Sequence, residues 1–277
     1  MKKYPDIKLA YPVIEAGVDA DIMAMKALNG YDKAFSKLHK MGYQGVELQL
    51  RDPDNVDVLA LESALTQNNL TLAAIGTSPM QKLDKLFLLG KDQYKCDACL
   101  RRAKSLISLC AHFDAVLLIG KMRGMVEDVD GCRLSDLQSI IGELAEMASA
   151  QHVRIALEPQ NSTNINNLNT FHETKKFIER VTAAPGTLGF HADIYHMKIS
   201  ETNLLESLGR YGEMIHFIHI ADTERKVPGK GSLNYVRIME TLSRVGYKGF
   251  ISPEIKQLPE SELVAERTIE YFERLLV

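Results

Sequence analysis

The sequence predicts an α/β fold, a single (β/α)8 TIM barrel that spans residues 1–277. Short apolar runs rich in β-branched residues alternate with longer amphipathic segments along the whole chain, which is typical of βα units around a parallel sheet. There are eight such runs. A length of 277 residues is normal for one barrel of this kind, whereas an open sheet of that size more often carries a second domain.

The predicted strands, in chain order, cover residues 7–12, 45–50, 70–76, 114–120, 154–159, 187–193, 216–222 and 249–255. Amphipathic helices are predicted between them, and the clearest cover residues 31–42, 134–151, 232–246 and 261–277. Gly42 and Gly246 are expected to end two of these helices, while Ser135 and Ser261 are expected as N-caps of two others.

The composition is that of an ordinary globular protein. A net charge of −3 indicates no nucleic-acid partner, and no apolar run is long enough to span a membrane. The first residues lack the apolar core of a signal peptide, so a cytoplasmic protein is expected. The cysteines are Cys96, Cys99, Cys110 and Cys132. Cys96 and Cys99 lie in a predicted helix without a second such pair, so reduced structural cysteines are expected rather than a zinc site.

Four consecutive strands each end in one acidic or imidazole side chain, and barrel enzymes place their reacting groups at these ends. The residues are Glu158, Asp193, His219 and Glu254. A single buried carboxylate could pair with a nearby Lys or Arg, but residues 155–159, 187–193, 216–222 and 249–255 contain neither. Three carboxylates and one imidazole without basic neighbours suit a divalent cation such as Mn²⁺, Co²⁺ or Mg²⁺.

Other polar residues near the strand ends are candidates for substrate binding. His196 follows the sixth strand, and Arg225 lies in the loop after the seventh strand. The alternative for Arg225 is a solvated charge in that loop. Lys121 and Arg123 suit an anionic substrate, with an exposed basic loop as the alternative. Gln49 on the second strand is a further candidate.

The remaining histidines are expected either to pack inside the fold or to lie at the surface. His191 shares a strand face with Asp193 and is expected to pack inside the barrel rather than bind metal. His216 falls on the opposite face from His219 and is expected to be structural. His39, His112, His152 and His172 lie in helical stretches and are expected at the surface.

The combined pattern resembles the xylose isomerase-like sugar isomerase and epimerase superfamily, in particular its ketose 3-epimerases of the tagatose and psicose type. The resemblance rests on Glu158 in LEPQN, on Asp193-x-x-His196, on His219 with Arg225, on the PGKG loop at 228–231 and on Glu254 in SPE. It covers residues 150–256 in motif detail and the remainder in layout alone, without matching substrate residues in the first half.

The resemblance implies that Glu158, Asp193, His219 and Glu254 bind a divalent metal, with Mn²⁺ favoured and Co²⁺, Mg²⁺ or Zn²⁺ also suitable, and that no organic cofactor is needed. Glu158 and Glu254 would also be the catalytic acid–base pair. His196 and Arg225 would hold substrate oxygens, with Asn161 as a further candidate. The implied reaction moves a proton beside the carbonyl of a keto-sugar or sugar phosphate through a metal-stabilised enediolate. A homodimer or homotetramer would be in keeping with the family.

Three alternatives remain open. The same scaffold supports dehydratases of keto-inositols, which begin with the same proton abstraction. An abasic-site endonuclease would need further metal ligands on the early strands and a basic surface, and the predicted strands 1 to 4 contain no histidine. A non-catalytic sugar-binding barrel would not need two glutamates.

Overall fold

A computed structural model describes residue 4 and residues 6–276, and these form a closed barrel of parallel strands in the order β1 to β8. The strands are β1 Lys8–Ile14, β2 Gly45–Gln49, β3 Thr71–Gly76, β4 Val116–Ile119, β5 Ile155–Leu157, β6 Leu188–Asp193, β7 Ile215–Ile220 and β8 Phe250–Pro253. Pairing of β1 with β8 closes the barrel. The predicted (β/α)8 fold is thus confirmed.

The α-helices form the outer layer of the barrel. They are α1 Tyr31–Met41, α2 Val58–Gln67, α3 Gln93–Phe113, α4 Leu134–Ala150, α5 Phe171–Ile178, α6 Ile194–Ser200, α7 Leu204–Tyr211, α8 Tyr235–Arg244 and α9 Ser261–Leu276. Their apolar faces pack on strands that are buried on both sides, which explains why the strand sequences read as continuous apolar runs.

Two of the predicted N-caps are wrong. Helix α4 begins at Leu134, as the predicted range has it, but its N-cap is Arg133 rather than Ser135. The reason is Asp136, whose carboxylate accepts the backbone N–H of Arg133 at 2.7 Å and so satisfies a donor at the helix start. Ser261, predicted as the N-cap of the last helix, is instead the first residue of α9. Gly42 ends α1 in the left-handed conformation (φ 102°), as predicted.

The barrel interior is filled in layers. A cluster of mostly small apolar side chains lies inside the sheet and comprises Ala10, Ala73, Ala74, Val116, Leu118, Ala156 and Phe217. Because alternate residues of a strand share a face, Ala156 and Phe217 stand directly before Glu158 and His219 on the interior side. The apolar layer therefore forms the floor on which the polar layer rests.

Short helical turns follow several strands at the carboxyl end of the barrel. They are a π-helical turn at Met80–Asp84 after β3 and 3₁₀ turns at Lys121–Arg123 after β4 and Thr223–Arg225 after β7. No helix in the described part of the chain is both long and apolar enough to cross a membrane. The four cysteines are buried and free.

Candidate active site

The four residues predicted as metal ligands converge at the carboxyl end of the barrel. One side-chain ligand atom from each of Glu158, Asp193, His219 and Glu254 lies within 4.8 Å of the others. The first three are buried, and Glu254 is half-buried at the floor of an open cavity. Strands β5 to β8 are consecutive in the barrel, so their ends bring together residues that are up to 96 positions apart in the sequence (158 to 254).

The two carboxylate oxygens of Asp193 have different functions. Oδ1 accepts the backbone N–H groups of Tyr195 at 2.8 Å and His196 at 3.1 Å, which makes Asp193 the N-cap of α6. Oδ2 faces the interior of the site. Burial alone would raise the pKa of this carboxyl, but the positive charge of Arg225 and the neighbouring histidines hold it well below its usual range. Asp193 is therefore an anion at any physiological pH.

His219 is oriented by a residue from the opposite side of the barrel. Its Nε2 lies 2.8 Å from Oε2 of Glu47 on β2, and Glu47 also accepts the side-chain amide of Gln49. Burial disfavours the imidazolium, yet the carboxylate of Glu47 raises the pKa of His219 to about 10. A carboxylate that holds one imidazole nitrogen leaves the other directed at a metal. Sequence reasoning did not find this contact, because it joins residues 172 positions apart.

Arg225 lies between two of the predicted ligands. Its NH1 is 2.8 Å from Oδ2 of Asp193 and 2.9 Å from Oε2 of Glu254, and its planar group lies over the ring of Tyr195 at 4.3 Å. Both Arg225 and the preceding Glu224 adopt positive φ values, 57° and 60°. A left-handed backbone is unfavourable for such residues, so the loop is held by its contacts. Arg225 is buried rather than a solvated loop charge.

Glu158 and Glu254 are carboxyl groups in conditions that favour protonation. Burial, followed by the nearby charges of Asp193 and Glu254, raises the pKa of Glu158 to about 8. Burial likewise raises the pKa of Glu254, although the charge of Arg225 opposes it. A carboxyl group whose pKa lies near neutrality can both take up and give back a proton.

His196 lies on the wall of the cavity, and its role in substrate binding stays a prediction. Its Nε2 is 3.1 Å from NH2 of Arg225 and 3.8 Å from Oε1 of Glu158, while its Nδ1 is 2.8 Å from the amide nitrogen of Asn161. Burial lowers the pKa of His196 to about 4. The ring is therefore neutral and suited to hydrogen bonding with a hydroxyl group. Asn161 lines the same cavity.

The two basic residues after β4 are separated by the fold. Lys121 is exposed and lines the cavity. Arg123, in contrast, is buried, and its guanidinium donates to backbone oxygens of Gly120, Glu158 and Asn167. This is a correction for Arg123, which neither binds at the cavity nor lies in an exposed loop. A fixed planar donor group can satisfy several carbonyls at once, and no sequence pattern marks it.

The polar residues of the early strands lie beside the ligands rather than in the cavity that Lys121 lines. Gln49 is buried, donates to Glu47 and accepts the backbone N–H of Ser78 at 3.1 Å. Gln49 also lines an adjoining cavity with Ser78 and Glu254. Its prediction as a substrate residue stays a prediction.

The other histidines occupy the predicted regions. His191 is buried with its ring 4.1 Å from that of His219, and its Nδ1 is 3.9 Å from Oε2 of Glu158. Neither ring nitrogen of His191 has a hydrogen-bond partner among the described residues. His216 lies outside the ligand group, next to Gly189 of β6. The histidines at the exposed surface are His39, His112, His152 and His172, as predicted.

The geometry and chemistry of the four residues fit a divalent cation. Two ligands of one Mg²⁺ ion lie at most about 4.2 Å apart, close to the spread of the four ligand atoms. Nδ1 of His219 is buried and has no hydrogen-bond partner among the residues that the structure describes, and it lies 3.9 Å from Oδ2 of Asp193 and 3.8 Å from Oε2 of Glu254. Such a nitrogen is normally paired, and a cation between it and the two carboxylates would satisfy all three groups.

Comparison with known proteins supports this reading of the fold. Residues 35–275 match the family described as Xylose isomerase-like TIM barrel. A ketose 3-epimerase from Arthrobacter globiformis is 26% identical over 225 residues, which cover 79% of this chain and 75% of that protein. The crystal structure of D-allulose 3-epimerase from Methylomonas sp. in complex with D-allulose superposes with a TM-score of 0.78 at 20% identity and covers 96% of this chain and 97% of the other.

Proteins of other descriptions share the fold at similar distance. The IOLI protein with a bound zinc atom superposes with a TM-score of 0.71 at 16% identity and covers 95% of this chain and 97% of that one. An AP endonuclease, family 2, from Brucella melitensis superposes with a TM-score of 0.74 at 18% identity and covers 96% and 98%. Because the family match covers residues 35–275, this chain belongs to the Xylose isomerase-like TIM barrel family.

Proposed function

We propose that this protein is a metal-dependent epimerase of keto-sugars, which removes the proton from the carbon beside the carbonyl and returns it to the opposite face. The observation that carries the proposal is the group of four ligand atoms within 4.8 Å of one another, two of them from glutamates with raised pKa values. Similarity to ketose 3-epimerase supports the same reaction class.

The positions of the two glutamates suit transfer of a proton from one face of a substrate to the other. Glu158 follows β5 and Glu254 follows β8, three strands apart around the rim, so they approach a bound molecule from different sides. One glutamate takes the proton as a carboxylate, while the other delivers a proton as a carboxylic acid. The pKa of Glu158, raised to about 8, makes both of its protonation states accessible near neutral pH, and burial shifts the pKa of Glu254 in the same direction.

Glu158, Asp193, His219 and Glu254 would hold the metal, for which Mn²⁺ is our first choice. A divalent cation would supply the positive charge that stabilises the negative charge developing on the substrate oxygens. His196, Arg225 and Asn161 line the cavity beside the glutamates and would orient the hydroxyl groups of the sugar. Because the ring of His196 is neutral, it can accept or donate a hydrogen bond without changing the charge of the site.

The experiment is solvent exchange in D₂O. The protein is supplied with Mn²⁺ and offered a panel of ketoses and ketose phosphates, and deuterium incorporation next to the carbonyl is followed by NMR. We expect wild type to exchange one carbon-bound proton with at least one ketose and to form its epimer. Glu158→Gln and Glu254→Gln should each lose exchange, because a neutral amide cannot accept the proton.

Glu146→Gln is the matched control, since Glu146 is an exposed residue of α4 far from the cavity, and it should exchange at the wild-type rate. Exchange that persists in both site variants would contradict the two-glutamate mechanism. An aldose product would indicate isomerisation instead of epimerisation. A product with new ultraviolet absorbance would indicate loss of water and a dehydratase.

A further inference from the structure

The mouth of the cavity carries more positive charge than a neutral sugar requires. The cavity has a volume of about 520 Å³, and the lysines that line it are Lys82, Lys85 and Lys121. Glu254 is the only acid among the described residues that line it, and Arg225 already pairs with Glu254. Uncompensated charge at the mouth of a cleft with low-dielectric walls attracts anions.

Two of these lysines lie in or directly after one turn, and the acidic residue of that turn pairs with arginines rather than with the lysines. The π-helical turn Met80–Asp84 follows β3 and carries Lys82, with Lys85 directly after it. Asp84 could neutralise both lysines but instead binds Arg51 and Arg102, each at 2.7 Å. Lys85 has a left-handed backbone (φ 56°) and no ion-pair partner among the described residues. π-helical turns are uncommon and occur often at functional sites.

The third lysine belongs to an equally rigid turn. Lys121 begins the 3₁₀ turn after β4, and Arg123 at the end of that turn binds backbone oxygens of Gly120 and Glu158. The buried arginine thus fixes the turn on the same strand ends that carry the catalytic groups. Lys121 itself is exposed at the cavity and has no ion-pair partner within the described part of the chain.

We infer that the substrate carries an anionic group, a carboxylate or a phosphate ester, at the end remote from its carbonyl, and that Lys85 and Lys121 bind it with assistance from Lys82. Lys82 contributes less because its ammonium also contacts Asp21, an exposed residue 3.7 Å away. The inference rests on the proposed function, because it assigns the substrate class of that same site. Neutral ketoses would then be poor analogues of the true substrate.

The test measures binding without turnover. Ribitol, ribitol 5-phosphate and ribonate lack a ketone and cannot react, so their affinities for the Mn²⁺-loaded protein can be compared by calorimetry. We expect at least one of the two anions to bind about tenfold or more tightly than ribitol, with the advantage falling as salt is raised. The stronger of the two identifies the carboxylate or the phosphate as the preferred group.

The double variant Lys85→Gln/Lys121→Gln should reduce this advantage to about twofold or less, and the two single variants should each reduce it in part. Lys40→Gln, an exposed lysine of α1, is the matched control and should keep the wild-type ratio. An advantage that survives in the double variant would overturn the inference, because the metal alone would then be binding the anion. Equal affinity of wild type for all three compounds would also overturn it.

These outcomes are distinct from those of the exchange experiment. If the protein exchanges protons with ketoses but binds the anions no more tightly than ribitol, the proposed function stands and the anionic subsite is refuted. Anion preference without exchange of any ketose or ketose phosphate would leave the subsite in place and remove the epimerase.

Discussion

Replacement of Arg225 by Gln should destabilise the metal-free protein and tighten its affinity for metal. The NH1 atom of Arg225 pairs with Oδ2 of Asp193 at 2.8 Å and Oε2 of Glu254 at 2.9 Å, in surroundings that are almost fully buried. Loss of one partner from a buried ion pair costs about 3–5 kcal/mol, because the remaining charge is left uncompensated. For a chain of this length that corresponds to a fall of roughly 5–9 °C in Tm.

Metal should reverse much of this loss. The guanidinium and a divalent cation compete for the same two carboxylate oxygens, so a wild-type protein must release part of the Arg225 pairing to bind metal. We therefore expect Mn²⁺ to bind Arg225→Gln about tenfold or more tightly than wild type. The assays are calorimetric titration with Mn²⁺ and thermal unfolding with and without saturating Mn²⁺.

Arg267→Gln, which removes an exposed arginine of α9, controls for the general loss of a positive charge and should match wild type in both assays. Arg225→Lys retains the charge and should fall between wild type and the glutamine variant. Weaker Mn²⁺ binding by Arg225→Gln, or a Tm deficit that is equally large at saturating Mn²⁺, would refute the idea that arginine and metal compete.

Three further predictions concern the surroundings of the ligands. Glu47→Gln should lower the pKa of His219 from about 10 and weaken metal affinity roughly 10- to 100-fold, measured by histidine NMR and metal titration. Gly120→Ala should fold but lose most exchange activity, because its methyl group would overlap Oε2 of Glu158; circular dichroism and the D₂O assay together check this. Metal binding at pH 7 should release about two protons, since Glu158 (pKa about 8) and His219 (pKa about 10) both hold one there without metal. Both folded pKa values exceed the unfolded ones, so Tm without metal should fall as pH rises from 7 to 9, above the range in which the buried neutral histidines contribute. Calorimetry in buffers of different ionisation enthalpy tests the proton release, and a pH series of melting curves tests the Tm; a Tm that rises from pH 7 to 9 would contradict the prediction.

The barrel was predictable because its signals are local and repeated. Each strand of a parallel sheet is buried on both faces and so appears as an apolar run, and the observed strands fall within or beside all eight predicted runs. The predicted ligands follow from the same regularity, since strand ends of a closed barrel must meet around one axis. The errors in the predicted fold concern the ends of helices. At the start of α4, the carboxylate of Asp136 accepts the backbone N–H of Arg133, which makes Arg133 the N-cap.

The parts that sequence reasoning missed depend on contacts between distant segments. Glu47 lies on β2, and its contact with His219 requires distant walls of the barrel to face each other. Arg123 appeared in a basic loop next to Lys121, and nothing in that stretch shows that one side chain turns inward to backbone oxygens while the other turns out. Charge patterns indicate residue types, whereas their directions depend on the three-dimensional packing.

The order of the strands has a consequence for how this enzyme could change. All four proposed ligands lie in or directly after β5 to β8, whereas the lysines at the mouth of the cavity follow β3 and β4. The metal centre and the lysines proposed to bind the anionic group are thus encoded in separate halves of the gene, and Glu47 is the residue of the first half that contacts the centre. A hybrid that retains residues from β5 onward and receives the first half of a relative with a glutamate at the position of Glu47 should keep its proton transfer and lose the preference for an anionic substrate, which makes this barrel a subject for half-barrel grafting.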